Sequence, residues 1–223
     1  MNQKELIELI KQHHTDMGIT EIRAKLNRAQ DDFCARTEVI KRTYVQNTEA
    51  GTRYYPLDAN ILKITKVQLD DIYIPRLIGD PIIDDDEFDL AEGRNDVGTG
   101  STDWYWYISN NRIGIVEKVV NGITVNGKTS HYISVSTVKQ LRLFTISQAT
   151  DFTTLMNFIP DLPPQFREAL SFKVIADGYL RGETLSPDLH TLFMKKYELM
   201  VRDGRKYSRS NFQQDAILKP QDF

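Results

Sequence analysis

The period of the apolar residues changes twice along this chain, and that double change narrows the folds open to it. Leu6, Ile7, Leu9, Ile10 and His13 recur at helical spacing. After a break at residues 15–18, Ile22, Leu26, Ala29 and Phe33 form one apolar face of a second helix. The Thr20 hydroxyl is placed to cap that helix, and its end is expected near Thr37. From residue 43 onward β-branched and aromatic residues take over. The segments 43–45, 53–55 and 61–69 are separated by turn residues, among them Asp70-Asp71. Residues 72–78 continue the pattern, with Pro75 favouring an edge or a bulge. Residues 104–108 and 112–116 flank Ser109-Asn110-Asn111, a hairpin turn. Strands follow at 122–125, 131–135 and 140–146, with Asn126-Gly127 as a further turn.

The helical period returns at Pro160-Asp161-Leu162-Pro163-Pro164. A proline in the first helical turn gives up only an N–H that would have no partner there. Phe166, Leu170 and Val174 follow, with Gly178 or Gly182 as the stop. Ser186-Pro187 begins a last helix. Leu189, Phe193, Lys196 and Met200 mark its inner face, with Leu192, Tyr197 and Leu199 beside it, and its end is expected at residues 204–207. Two short helical pairs cannot bury their faces alone, so they are expected to pack together. The fold class is α+β. A helical body of residues 1–37 and 160–207 carries an inserted, mostly antiparallel β domain at 38–159, and residues 208–223 form an extended tail. Within the insertion, residues 80–102 form a long acidic loop.

With 223 residues, the chain is long enough to bury a core without staples. Its formal charge of −3 argues against whole-molecule attraction to nucleic acid or anionic membrane. Cys34 is the only cysteine, so an intrachain disulfide and a CxxC metal site are both excluded. No signal peptide and no run of eighteen apolar residues is present, and a soluble protein of a reducing cytoplasm is expected.

Asp84, Asp85, Asp86, Glu87 and Asp89 sit in the acidic loop, but Asp89 stands where an EF-hand requires glycine, so a solvated loop is preferred to a cation site. The histidines 13, 14, 131 and 190 lack metal-ligand spacing. Cys34 beside Phe33 reads as a small buried thiol, and no nucleophile elbow or phosphate loop is present. Neither cofactor nor metal is expected. Strand alternation puts Trp104 and Trp106 on one face and Tyr105 and Tyr107 on the other. At least one face is assigned to the core, and the other stays open as an interface. Lys195, Lys196, Arg202, Arg205, Lys206 and Arg209 make the last helix basic, either as a solvated face or as a dock for an acidic partner or DNA.

The order of these pieces resembles the head-to-tail adaptor (connector, head-completion) proteins of tailed bacteriophages. The resemblance rests on Ala24-Lys25-Leu26-Asn27-Arg28-Ala29-Gln30 with Phe33 in the second helix, and on residues 51–57 leading to Ile61-Leu62-Lys63-Ile64. It also rests on the 104–116 hairpin with Leu141-Arg142-Leu143, and on residues 160–170, similar to the start of the family's penultimate helix. Nearly the whole chain is covered. The acidic loop and the 122–135 strands depart from the pattern.

The resemblance implies a structural virion protein rather than an enzyme, assembled in the host cytoplasm and located at the neck between head and tail. It implies a ring, typically dodecameric, below the portal protein. The ring would extend the DNA channel, let DNA pass without specific binding, and present a face to the tail or the next ring protein. No membrane is involved. Phe212, Ile217, Leu218 and Phe223 of the tail would wedge into the portal, and the six basic residues would face a partner. The five acids with Trp104 and Trp106 would face the lumen or the tail, where carboxylates repel phosphate. The alternatives are a carboxylate-dependent hydrolase and a glycan- or nucleic-acid-binding module, each using the acidic loop and the 104–107 strand.

Overall fold

The computed structural model describes residues 1–77, 103–125, 128–181 and 185–212. The acidic loop, the Asn126-Gly127 turn, Gly182 and tail residues 213–223 lie outside the described residues. The chain is α+β and divides into two compact units, one of Met1–Lys41 with Ile146–Phe223 and the other of Arg42–Thr145.

The first unit is built from α1 (Gln3–His13), α2 (Ile19–Thr37), α3 (Arg167–Gly178, entered through a 3-10 turn at Pro164–Phe166) and α4 (Pro187–Phe212). The buried stripes Leu6/Ile7/Ile10, Ile22/Leu26/Ala29/Phe33, Leu170/Val174 and Phe193/Tyr197/Val201 share one core. Truncating a side chain such as Phe33, fully buried at its centre, should cost about 3–5 kcal/mol. Asn2 starts α1 with a capping box, accepting from the Glu5 N–H (3.0 Å) while Glu5 accepts from the Asn2 N–H (3.1 Å). Cys34 is fully buried in this core.

Several local expectations change. Gly18 rather than Thr20 is the N-cap of α2, with no side-chain cap bond. Ser208–Phe223 does not start as an extended tail, because α4 runs to Phe212. Gly204 looked like a stop but lies inside the helix. A Cβ there would stand 2.9 Å from Thr37 and 3.1 Å from Phe33, so the glycine lets α4 cross α2 closely. The inner face of α4 is also rotated. Phe193, Tyr197, Val201, Gly204 and Ser208 are buried, while Leu189, Leu192, Lys196 and Leu199 are exposed. Leucines drew the sequence pattern toward their own stripe, whereas contact with α2 and α3 selected a stripe containing a glycine and a serine.

The unit boundary falls earlier than residue 160. The aperiodic stretch that follows residue 147 is laced to the helices by polar side chains. The Gln3 amide donates to Thr153 O (3.0 Å), the Gln30 amide donates to Thr150 O (2.9 Å), and Asn27 accepts from the Phe152 N–H (2.8 Å). Phe158 O and Met156 O in turn accept from the first-turn N–H groups of Gln3 and Lys4.

The second unit holds two antiparallel sheets over one core. The first sheet has the order β1 (Lys41–Asn47), β8 (Gln140–Ser147), β3 (Ile61–Leu69), β4 (Ile72–Ile74). The second has the order β2 (Tyr54–Pro56), β6 (Arg112–Val125), β5 (Asp103–Ser109), with β7 (Lys128–Ser134) also on β6. Past Pro75 the chain leaves β4 and bridges to β5 through a Leu77 N–H to Trp106 O bond of 2.8 Å. Two hairpins turn on non-glycine residues at positive φ, Asp70-Asp71 (47° and 64°) and Asn110-Asn111 (47° and 59°). The paired flanks Leu69↔Ile72 and Ser109↔Arg112 make both two-residue type I′ turns. Asp70 is pinned by Lys139 and the Gln140 N–H, both at 2.8 Å, and Asp71 by Arg142 at 2.6 Å.

Candidate functional site

The aromatic strand is structural. Trp106, 4% exposed, lies in the β core with Ile113 and Ile115, and Trp104 packs partly buried against it. The expectation that Trp106 faces a lumen or the tail is therefore overturned, since strand alternation turns it inward. The opposite face is also covered. Tyr107 is buried with its ring over Gly114, where a Cβ would come within 2.4 Å, and Tyr105 packs edge-on against Tyr132. Along β5, Trp104 and Tyr105 are half-buried and Trp106 and Tyr107 buried, so among the described residues this strand presents no row of exposed rings. Among the described residues no cluster of His, Cys, Asp or Glu could hold a metal, and no helix is long and apolar enough to cross a membrane. Asp84, Asp85, Asp86, Glu87 and Asp89 lie outside the described residues, as do Ile217, Leu218 and Phe223.

His13, His14 and His190 serve packing. His14 is buried, and its Nε2–H donates to Ile175 O (3.0 Å). Its ring lies where a Gly178 Cβ would be 2.3 Å away. The His190 Nδ1–H donates to Ala176 O (3.0 Å). Both rings therefore address carbonyls in the last turn of α3, where a donor is favourable. His13 is bonded to the Tyr179 hydroxyl (3.1 Å), and burial, followed by the nearby His14 and Lys196, lowers its pKa.

Surface chemistry concentrates on α4. Its inner face is tied to α2 by polar links. The Tyr197 hydroxyl donates to Asp32 (2.6 Å), and Arg36 grips Glu198 with two bonds of 2.8 and 2.5 Å. Burial, then the bond to Asp32, pushes the Tyr197 phenol far above its ordinary value. The Arg36 bond holds the Glu198 carboxyl below its ordinary range. The Ser208 hydroxyl donates to Glu38 O (2.8 Å) at the left-handed cap of α2.

The outer face is different in kind. Lys195, Lys196, Arg202, Arg205, Lys206 and Arg209 are all exposed. Leu192 (48% exposed) and Leu199 (49%) run between them at a spacing of seven, continued by Leu185 (62%) just before the helix. A shallow depression between His190, Met194, Lys195, Leu199 and Arg202 follows the same face. The sequence groups the cations on the last helix and sets Leu192 and Leu199 beside its apolar face. The missed signal was their seven-residue spacing, which drifts away from the stripe Phe193/Tyr197/Val201/Gly204.

A face of leucines framed by cations, on a helical unit that has already filled its own core, suits binding to another protein surface. The family model of the SU10 adaptor protein matches residues 1–205. This chain belongs to the SU10 adaptor protein family. It is a family of phage head-to-tail adaptors, structural virion proteins and not enzymes, which sets the hydrolase alternative aside. Such an adaptor stands at the virion neck and meets portal and tail proteins in general. No curated protein matches the chain.

Proposed function

We propose that the SU10 adaptor-family chain forms a ring, typically of twelve copies, seated below the portal. The ring extends the DNA channel and offers its far side to the tail. The outward face of α4 supports this most directly. It leaves three leucines and six cations on the surface of a unit with a closed core, which a chain that works alone would have no reason to keep. Residues beyond Phe212, with Ile217, Leu218 and Phe223, supply too little apolar area for a core of their own and suit a segment that orders on the portal. The isolated chain is then a monomer or weak oligomer, and the portal promotes closure of the ring.

Electron microscopy of the full chain with and without the portal of the same phage tests this. A ring on the portal is expected, and absence of association under every condition would overturn the assignment. Removing residues after Phe212 should leave folding intact and weaken portal attachment; full attachment by the shortened chain would show that the tail is not the anchor.

A further inference from the structure

In-register pairing of the outer face of α4 with a second α4 would set Leu192 and Leu199 on their own copies but bring Lys195, Arg202 and Lys206 against the same cations, and like charges opposed across an interface disfavour it. The face calls for an occupant that is apolar and acidic together. This chain carries such a segment. Residues 80–96 hold eight of its 31 acids against the single Arg94, and Ile82, Ile83, Phe88 and Leu90 are interleaved with those acids. A chain with a formal charge of only −3 thus separates a strongly negative apolar stretch from a leucine face whose cations outnumber its acids, Asp203, which pairs with Arg202 and Lys206, and Glu198, which Arg36 holds.

We propose that residues 80–96 of one copy dock on the outward face of α4 of the next. Leu185, Leu192 and Leu199 receive the apolar side chains, and Lys195, Arg202 and Lys206 the carboxylates. The contact joins two different surfaces, so it is heterologous, and repetition around an axis closes a ring. It deepens the ring reading by naming what neighbouring copies hold on to, but it can be measured without a portal. Because the cations are exposed, the charged part of the contact is screened by salt, and the leucines supply the part that salt leaves in place.

The test is a charge exchange in the full chain. The face variant carries Lys195→Glu, Arg202→Glu and Lys206→Glu; the segment variant carries Asp84→Lys, Asp85→Lys, Asp86→Lys and Asp89→Lys. Circular dichroism and thermal melting check that both remain folded. Self-association is then followed by sedimentation at about 25 mM and about 500 mM salt. Wild-type association should weaken with salt, and each variant alone should lose at least about tenfold in affinity. Mixing the two variants should restore association, because each then offers what the other lacks. Leu192→Ser with Leu199→Ser should weaken association at both salt concentrations.

Four outcomes overturn the proposal. The first is a wild-type chain that stays monomeric throughout. The second is a pair of variants that associate like wild type, including a segment variant that changes only DNA ejection, as a lumen-facing acidic loop would. The third is restoration only when both sets of changes are in one chain, which makes the docking internal. The fourth is a face variant that loses only portal attachment, which gives the face to the portal. If the exchange works but no ring forms on the portal, the neck assignment fails and this contact stands.

Discussion

The two units are held in shape by different kinds of constraint. In the helical unit the decisive close approaches join residues far apart in sequence: Gly178 beneath the ring of His14, and Gly204 against Thr37 and Phe33. In the β unit they are local. Asp70-Asp71 and Asn110-Asn111 set the register of their own hairpins, and Gly114 makes room for Tyr107 directly across one ladder. A change in the helical unit should therefore disturb how elements meet, whereas one in the β unit should disturb a single hairpin.

The sharpest way to break this contrast is Gly178→Ala. The new methyl meets an imidazole that its bond to Ile175 O holds in place, so we expect a loss of about 2–3 kcal/mol in denaturant unfolding. A loss below about 1 kcal/mol would mean that His14 swings away and the contact is not decisive. Gly204→Ala should cost less, because the restored helix propensity of up to about 1 kcal/mol offsets the clash with Thr37. Next comes truncation after Tyr207, which removes the buried Ser208 and its bond to Glu38 O. It should cost about 1–2 kcal/mol, while truncation after Phe212 is neutral in the same melt. Equal stability of the two would show that the last turn of α4 is not part of the unit.

In the β unit, Asn111→Gly relieves a positive φ of 59° and should raise stability by a few tenths of a kcal/mol, with the 104–118 register unchanged by amide exchange. A shifted register would show that the turn, not the paired core, decides alignment. The smallest effect is electrostatic. Glu21, Asp70 and Glu198 have carboxyl pKa values lowered by bonds from Arg181, Lys139 and Arg36. Their stabilisation is full above the unfolded values near 4 and is lost as pH falls through the lower folded values. Asp31, raised by burial and Asp151, has the opposite sign and partly offsets them. Because these groups are largely exposed, Glu198→Gln should flatten the acid limb of a pH–melting curve only slightly. A strong flattening would make the Arg36 pair a major tie between α2 and α4.

The same contrast explains what could be read in advance. The period of apolar residues, the two hairpin turns, the proline that opens the turn before α3 and the buried thiol are properties of short windows. Their physics acts within a few residues, so they were legible in Leu6/Ile10, Asn110-Asn111, Pro164 and Cys34. The clustering of cations at 195–209 was legible for the same reason. Three other features were not. One is the inward turn of Trp106, which depended on which side of β5 met the first sheet. Another is the attachment of residues 150–158 to α1 and α2, made by Gln3, Asn27 and Gln30 to backbone carbonyls and an N–H more than a hundred residues away. The third is the placement of Leu192 and Leu199 outside, because α4 meets its neighbours through the narrower stripe that Gly204 and Ser208 allow. A side chain's period says that it can be buried; only the shapes of the elements it meets decide which of two apolar stripes goes inside and which is left to bind something else.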